Sequence, residues 1–181
     1  MPNHVYNTIE FTGGTRALNK IMKKVSMLNR TSNSKSEFDF NNLITPSDTE
    51  WYHKDDNWYN WNIANWGTKW NAYDVVLNEA IDNDHPFLGY TFTTAWSPPT
   101  GVMLALVDYM VEQRLDVYMD WCYEEEQGWG GRMHYDMKNG LNSVEEWEIP
   151  ENHDEMVERR GECYCDEEYK PFSDCPVGEE E

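Results

Sequence analysis

The hydrophobic period of this chain switches from two to 3.6 and back along two separate stretches. The order of those switches constrains the fold more than any motif does. Residues 4–14, HVYNTIEFTGG, alternate β-formers with polar residues and stop at Gly13-Gly14, as a first strand would. TRALNKIMKKVSML follows, with Leu18, Ile21, Met22, Val25 and Leu28 on one stripe. That spacing predicts an amphipathic helix with Thr15 as N-cap and Lys20, Lys23 and Lys24 on its wet face. FDFNNLI, closed by Pro46, reads as a short second strand, and Ser47 to Asp56 as polar irregular chain. The aromatic stretch WNIANWGTKWNAYD (61–74) comes next. It runs into YDVVLNEAIDN, read as helical because Val75, Val76, Leu77, Ala80 and Ile81 make one apolar face. LGYTFTTAWSPP is a strand terminated by Pro98-Pro99. TGVMLALVDYMVEQRL is a helix with Thr100 as cap and Val102, Leu106, Met110 and Leu115 near one stripe. DVYMDWCYEEE and GRMHYDMKNG alternate again, joined by a hairpin through Gln127 to Gly131, and VEEWEI adds a further short strand.

The order β-α-β, an inserted segment at about 47–84, then β-α-β-β describes an α+β protein. Two β-α-β halves predict a ferredoxin-like split β-α-β sandwich over residues 1–150, with an aromatic and helical insertion. From Pro150 the chain turns polar and acidic and ends GEEE, so 151–181 is expected to be a loose acidic extension. Hydrophobic residues make up 39% of the chain, below the roughly 45–50% of globular proteins. Aromatics at 14% offset that deficit, so the core is expected to be small and built around rings.

MPNHVYNTIEF, FDFNNLI followed by Pro46, NWGTKWNAYD and TFTTAWSPP occur in the order seen in one small family. On these motifs, over residues 1–136, the chain resembles the YubB-type ferredoxin-like domain proteins, encoded largely by bacteriophages and plasmids. The resemblance implies a ferredoxin-like domain without an iron–sulfur cluster, a mobile-element origin and a bacterial host cytoplasm. It carries no catalytic residues across, and fold alone does not supply function.

The net charge of −20 argues against direct binding to nucleic acid, which needs Lys and Arg to displace counterions, and against anionic membranes. No stretch is long and apolar enough for a transmembrane helix, and the N-terminus lacks the features of a signal peptide. The charge is unevenly spread: residues 1–30 carry five basic side chains against one acid, whereas residues 101–181 carry 23 acids against six bases. Cys163, Cys165 and Cys175 match no common metal spacing. No histidine lies in a metal motif, no nucleophile elbow is present, and Gly13-Gly14 is a turn signal rather than a phosphate loop. No catalytic set, metal or cofactor is therefore expected.

Two surfaces are candidates. The first is acidic, with Glu124, Glu125, Glu126, Glu145, Glu146 and Glu148, against the alternative that these only solvate the protein. Ordered carboxylates of this kind imitate the phosphate track of nucleic acid, so the expected partner is a basic host protein, bound in a salt-dependent way. The second is the aromatic–amide stretch, where Trp66, Lys69, Trp70, Asn71 and Trp96 would line a small-ligand or nucleotide site, with an enzymatic role left open, against the alternative that the rings plug the core.

Overall fold

The computed structural model describes residues 3–26, 38–55, 57–81, 84–137, 140–149 and 155. Strand β1 (His4–Gly13) lies inside the sheet, and its burial alternates residue by residue. Val5, Ile9 and Phe11 are fully buried, while Tyr6 points the other way and is 57% exposed. On one side β1 pairs with β3 (Phe87–Ala95) and on the other with β4 (Val117–Glu125). Strand β2 (Tyr73–Glu79) flanks β3, and β5 (Gly130–Asp136) and β6 (Gly140–Trp147) continue beyond β4. The result is one open six-stranded sheet in the order β2-β3-β1-β4-β5-β6, antiparallel at every neighbouring pair.

Helix α1 (Thr15–Val25) follows β1 and helix α4 (Thr100–Glu112) connects β3 to β4; between them lie α2 (Thr49–Tyr52) and α3 (Asn57–Asn65). Leu18, Ile21, Met22 and Val25 of α1 and Val102, Met103, Leu106 and Met110 of α4 join Val5, Ile9, Phe11, Met119 and Trp121 in one core. Both helices thus pack on the inward face of the sheet, the α+β layering expected from the periodicities. Trp121, Tyr90, Tyr135, Phe11, Phe38 and Phe40 are among the largest fully buried side chains, so the core is built on rings.

Two expected elements are corrected. Over its described residues 73–81 the segment YDVVLNEAIDN is no helix: its first residues form β2, which pairs along β3 from Tyr73↔Thr93 to Glu79↔Leu88. The consecutive Val75, Val76 and Leu77 suit a half-buried edge strand, where β-branched side chains pack on a pleated neighbour. The presumed insertion therefore contributes a strand to the sheet. FDFNNLI is not a strand either; Phe40–Asn42 make one 3-10 turn. Side chains capture its backbone: Asp39 Oδ1 accepts from the Asn41 N–H at 2.9 Å, and Asn71 Oδ1 from the Phe40 N–H at 2.9 Å. Such local bonds compete with a sheet ladder. Neither expected threonine cap forms: the N-cap positions of α1 and α4 fall on Gly14 and Pro99. Thr15 Oγ1 instead donates to the Ile81 carbonyl at 3.1 Å. The polar 47–56 stretch holds the short helix α2, capped by Asp48, which accepts from the Trp51 N–H. The expectations for 151–181, Glu155 apart, and for Cys163, Cys165 and Cys175 lie outside the described residues.

Candidate functional site: the open face of the sheet

Alternation dictates the second face of the sheet. With Val5, Ile9 and Phe11 turned inward, His4, Tyr6, Thr8, Glu10 and Thr12 must point outward. Register then stacks outward residues into rows across β1, β4, β5 and β6. One row is Tyr6, Glu124, Gly130 and Trp147; the next is Thr8, Cys122, Arg132 and Glu145; a third begins Glu10, Asp120 and His134. The Trp147 ring lies over Gly130, where an added Cβ would meet ring atoms at 2.9 Å. Tyr6, Thr8, Glu10, Arg132 and Glu145 are exposed, so this part of the face is open.

One basic group on this face is already committed. Arg132 Nε donates to Asp120 Oδ1 at 2.9 Å and its Nη2 bonds Oδ2, a two-pronged pair. Asp120 holds the guanidinium firmly in its charged form. His134 Nδ1 lies 3.2 Å from Asp120 Oδ1 and 2.9 Å from the Tyr118 hydroxyl. Cys122 sits opposite Arg132, yet burial outweighs that guanidinium and pushes its thiol up, which keeps it protonated and poorly nucleophilic. Asp120 and Arg132 neutralise each other. The remaining carboxylates in these rows, Glu10, Glu124 and Glu145, give the face its acidic character.

The six acids singled out in the sequence do not form one surface. Glu124 and Glu145 lie on the open face. Glu125 is 1% exposed and points inward: its Oε1 accepts from Asn3 Nδ2 at 2.6 Å and its Oε2 from the Gln127 N–H at 2.6 Å. It ties the chain start to the β4–β5 turn, so it is removed from the exposed set. Glu126 lies 3.9 Å from His4 Nε2. Glu146 is on the opposite face, where its Oε1 accepts from the Tyr123 hydroxyl at 3.3 Å. Glu148 is exposed just past β6.

Burial first, and then the Glu146 carboxylate, push the Tyr123 phenol up from 10.0 to about 12. The folded state favours the neutral phenol, so its contribution to stability is complete below pH 10 and is lost as pH rises toward about 12. In Glu146→Gln, tyrosinate absorbance is expected to show one tyrosine ionising at lower pH than in the wild type. An unchanged alkaline titration would contradict the Tyr123–Glu146 contact.

The aromatic candidates also divide. Trp66 is core: 2% exposed, edge-on to Phe40 and Trp61, with Nε1 donating to the Ile44 carbonyl at 3.0 Å. Asn71 is structural, its Oδ1 accepting from the Phe40 and Ala72 N–H groups and its Nδ2 donating to Asp39. Trp66 is closed to a ligand, and the Asn71 amide is engaged in holding the turn. Lys69, Trp70 and Trp96 do meet at the surface. Lys69 Nζ lies 4.4 Å from the Trp70 ring centroid and 4.1 Å from that of Trp96. Trp96 has φ +70°, a conformation that costs a bulky side chain about 1–3 kcal/mol.

Sequence reasoning missed Tyr6, Glu10, Asp120, His134 and Tyr59. Outward alternation along β1, β4 and β5 was the signal for the first four; the Tyr59 contact with Trp96 had none. Among the described residues no group of three or more His, Cys, Asp or Glu is placed to hold a metal ion, and no helix is long and apolar enough to cross a membrane. Comparison with family models, with curated proteins and with solved structures finds no match to this chain.

Proposed function

We propose that this chain is a ferredoxin-like protein of a phage or plasmid that binds a basic host protein through the open, acidic face of its sheet. Support for the fold reading comes from the order β2-β3-β1-β4, antiparallel throughout, with α1 after β1 and α4 between β3 and β4. In that reading β5 and β6 extend the sheet beside β4. The mobile-element origin rests on the sequence motifs that resemble the YubB-type family.

The observation that carries the binding reading is the placement of Glu124 beside exposed Tyr6, with Glu145 and Glu10 in the next two rows of the same face, opposite the helix-covered face. The strands already order the backbone that carries these carboxylates, so binding costs side-chain freedom alone, and a ring among them supplies contact area at low entropic cost. A groove that ordinarily holds nucleic-acid phosphates offers the complementary charge, so a DNA- or RNA-handling defence protein is the partner class. Complementary fields accelerate encounter and make the affinity salt-dependent. Capture from a bacterial lysate on the immobilised chain is expected to retain a basic nucleic-acid-handling protein that elutes as ionic strength rises. Recovery of no basic protein, or of one whose retention ignores salt, would sink this reading.

A further inference from the structure

The Trp96–Lys69–Trp70 cluster stands apart from the open face, and the fold invests backbone geometry in it. Lys69 follows Gly67, which has φ +88°, and buried Thr68, whose hydroxyl donates to the Ala95 carbonyl at 2.9 Å. The partner segment is fixed equally well. The Trp96 N–H donates to the Asn3 carbonyl at 2.9 Å, Thr94 Oγ1 to the Ser97 carbonyl at 3.0 Å, and Ser97 Oγ to the Gly67 carbonyl at 2.6 Å. Two loops are thus laced together to set two indoles around one ammonium. Tyr59 closes one side, edge-on to Trp96 at 6.0 Å.

Strain without burial is the unusual part. Trp96 holds a left-handed backbone conformation that bulky residues rarely adopt, yet its side chain stays 42% exposed. Core packing does not account for such a placement, whereas outliers of this kind cluster at ligand sites. The slot between the rings is filled by the chain's own ammonium, so the cluster offers a cation and does not take one. Among the described residues Lys69 has no carboxylate within ion-pair distance. Its position over two rings orders the long side chain, so the charge is set in place before any ligand arrives.

We infer that Lys69, Trp96, Trp70 and Tyr59 form a binding site for a small anion carried on a flat ring, the anion on the Lys69 ammonium and the ring on the exposed indole of Trp96. A nucleoside monophosphate and an aromatic carboxylate share that chemistry. Calorimetric titration of the full chain with adenosine monophosphate and with 1-naphthoate distinguishes the two sources. Saturable binding of at least one is expected, with adenosine alone and inorganic phosphate alone weaker by about ten-fold or more. Lys69→Gln and Trp96→Ala are each expected to weaken the bound compound by about ten-fold or more, with near-ultraviolet circular dichroism checking the fold. Binding of both compounds assigns the site to any anionic flat ring, and binding of the nucleotide alone narrows it to nucleotides. Lys69→Gln changes a half-buried surface charge at nearly constant length and keeps the test valid should Trp96→Ala unfold. Absence of saturable binding by either compound, or an affinity unchanged in Lys69→Gln, overturns the inference.

Discussion

Trp66→Ala is expected to cost about 3–5 kcal/mol of stability, the range for emptying a buried ring site. The indole is 2% exposed and contacts Phe40 and Trp61 edge-on at 5.7 and 5.6 Å. Its removal leaves a cavity and also strips the Ile44 carbonyl of its indole donor. Phe40 stands beside Phe38 and Phe92 in the same cluster, so the loss reaches the inward face of β3. Urea unfolding is the measurement, with the midpoint falling and the slope unchanged. A cost below about 1 kcal/mol is the range for a surface position, and would return Trp66 to the ligand candidates.

Gly101→Ala is the second large effect, and here two terms oppose each other. Alanine is the better helix former by about 1 kcal/mol in a helix interior, so propensity alone predicts stabilisation of α4. Space decides otherwise. A Cβ at Gly101 would lie 2.1 Å from the Asn65 carbonyl oxygen, 3.0 Å from the Asn65 carbonyl carbon and 3.4 Å from that of Trp66. All three are backbone atoms at the end of α3, which cannot swing aside as a side-chain tip can. The start of α4 must therefore separate from α3, at a cost of about 1–3 kcal/mol or more net of the propensity gain. Thermal unfolding should show a lowered midpoint. A raised midpoint would mean that α3 and α4 do not approach this closely.

How legible the chain was depends on where each element gets its order. Strands β1, β4 and β5 and helices α1 and α4 each bury one face, and their periods are plain in the sequence, while β3 is buried on both sides and is marked by its β-formers and the closing Pro98-Pro99. Strand β2 is an edge strand, half-buried on one side only, and its Val75-Val76-Leu77 run fits a helix face as well as a strand. Only pairing with β3 decides between them. Glu125 was legible in principle. Val117, Met119, Trp121 and Tyr123 all point inward along β4, and continuing that period of two carries Glu125 inward as well. Reading Glu124–Glu126 as one acidic cluster ignored the strand that carries Glu124 and Glu125 and ends before Glu126. Trp66 and Trp70 could not be told apart from their local sequence. Their fates depend on Ile44, Phe40 and Trp96, which are distant in the chain.

The central claim is that a particular face, and not net charge, recognises the partner. Its most direct test compares two triple charge reversals with the same change in net charge. One variant carries Glu10→Lys, Glu124→Lys and Glu145→Lys on the open face. The other carries Asp108→Lys, Glu112→Lys and Asp116→Lys, exposed at the end of α4 and just beyond it. Affinity for the captured basic protein, measured at one ionic strength, is expected to fall by about 100-fold or more in the first and by less than about ten-fold in the second. Equal losses in the two variants would mean that the chain attracts its partner by overall charge alone, and would contradict the account.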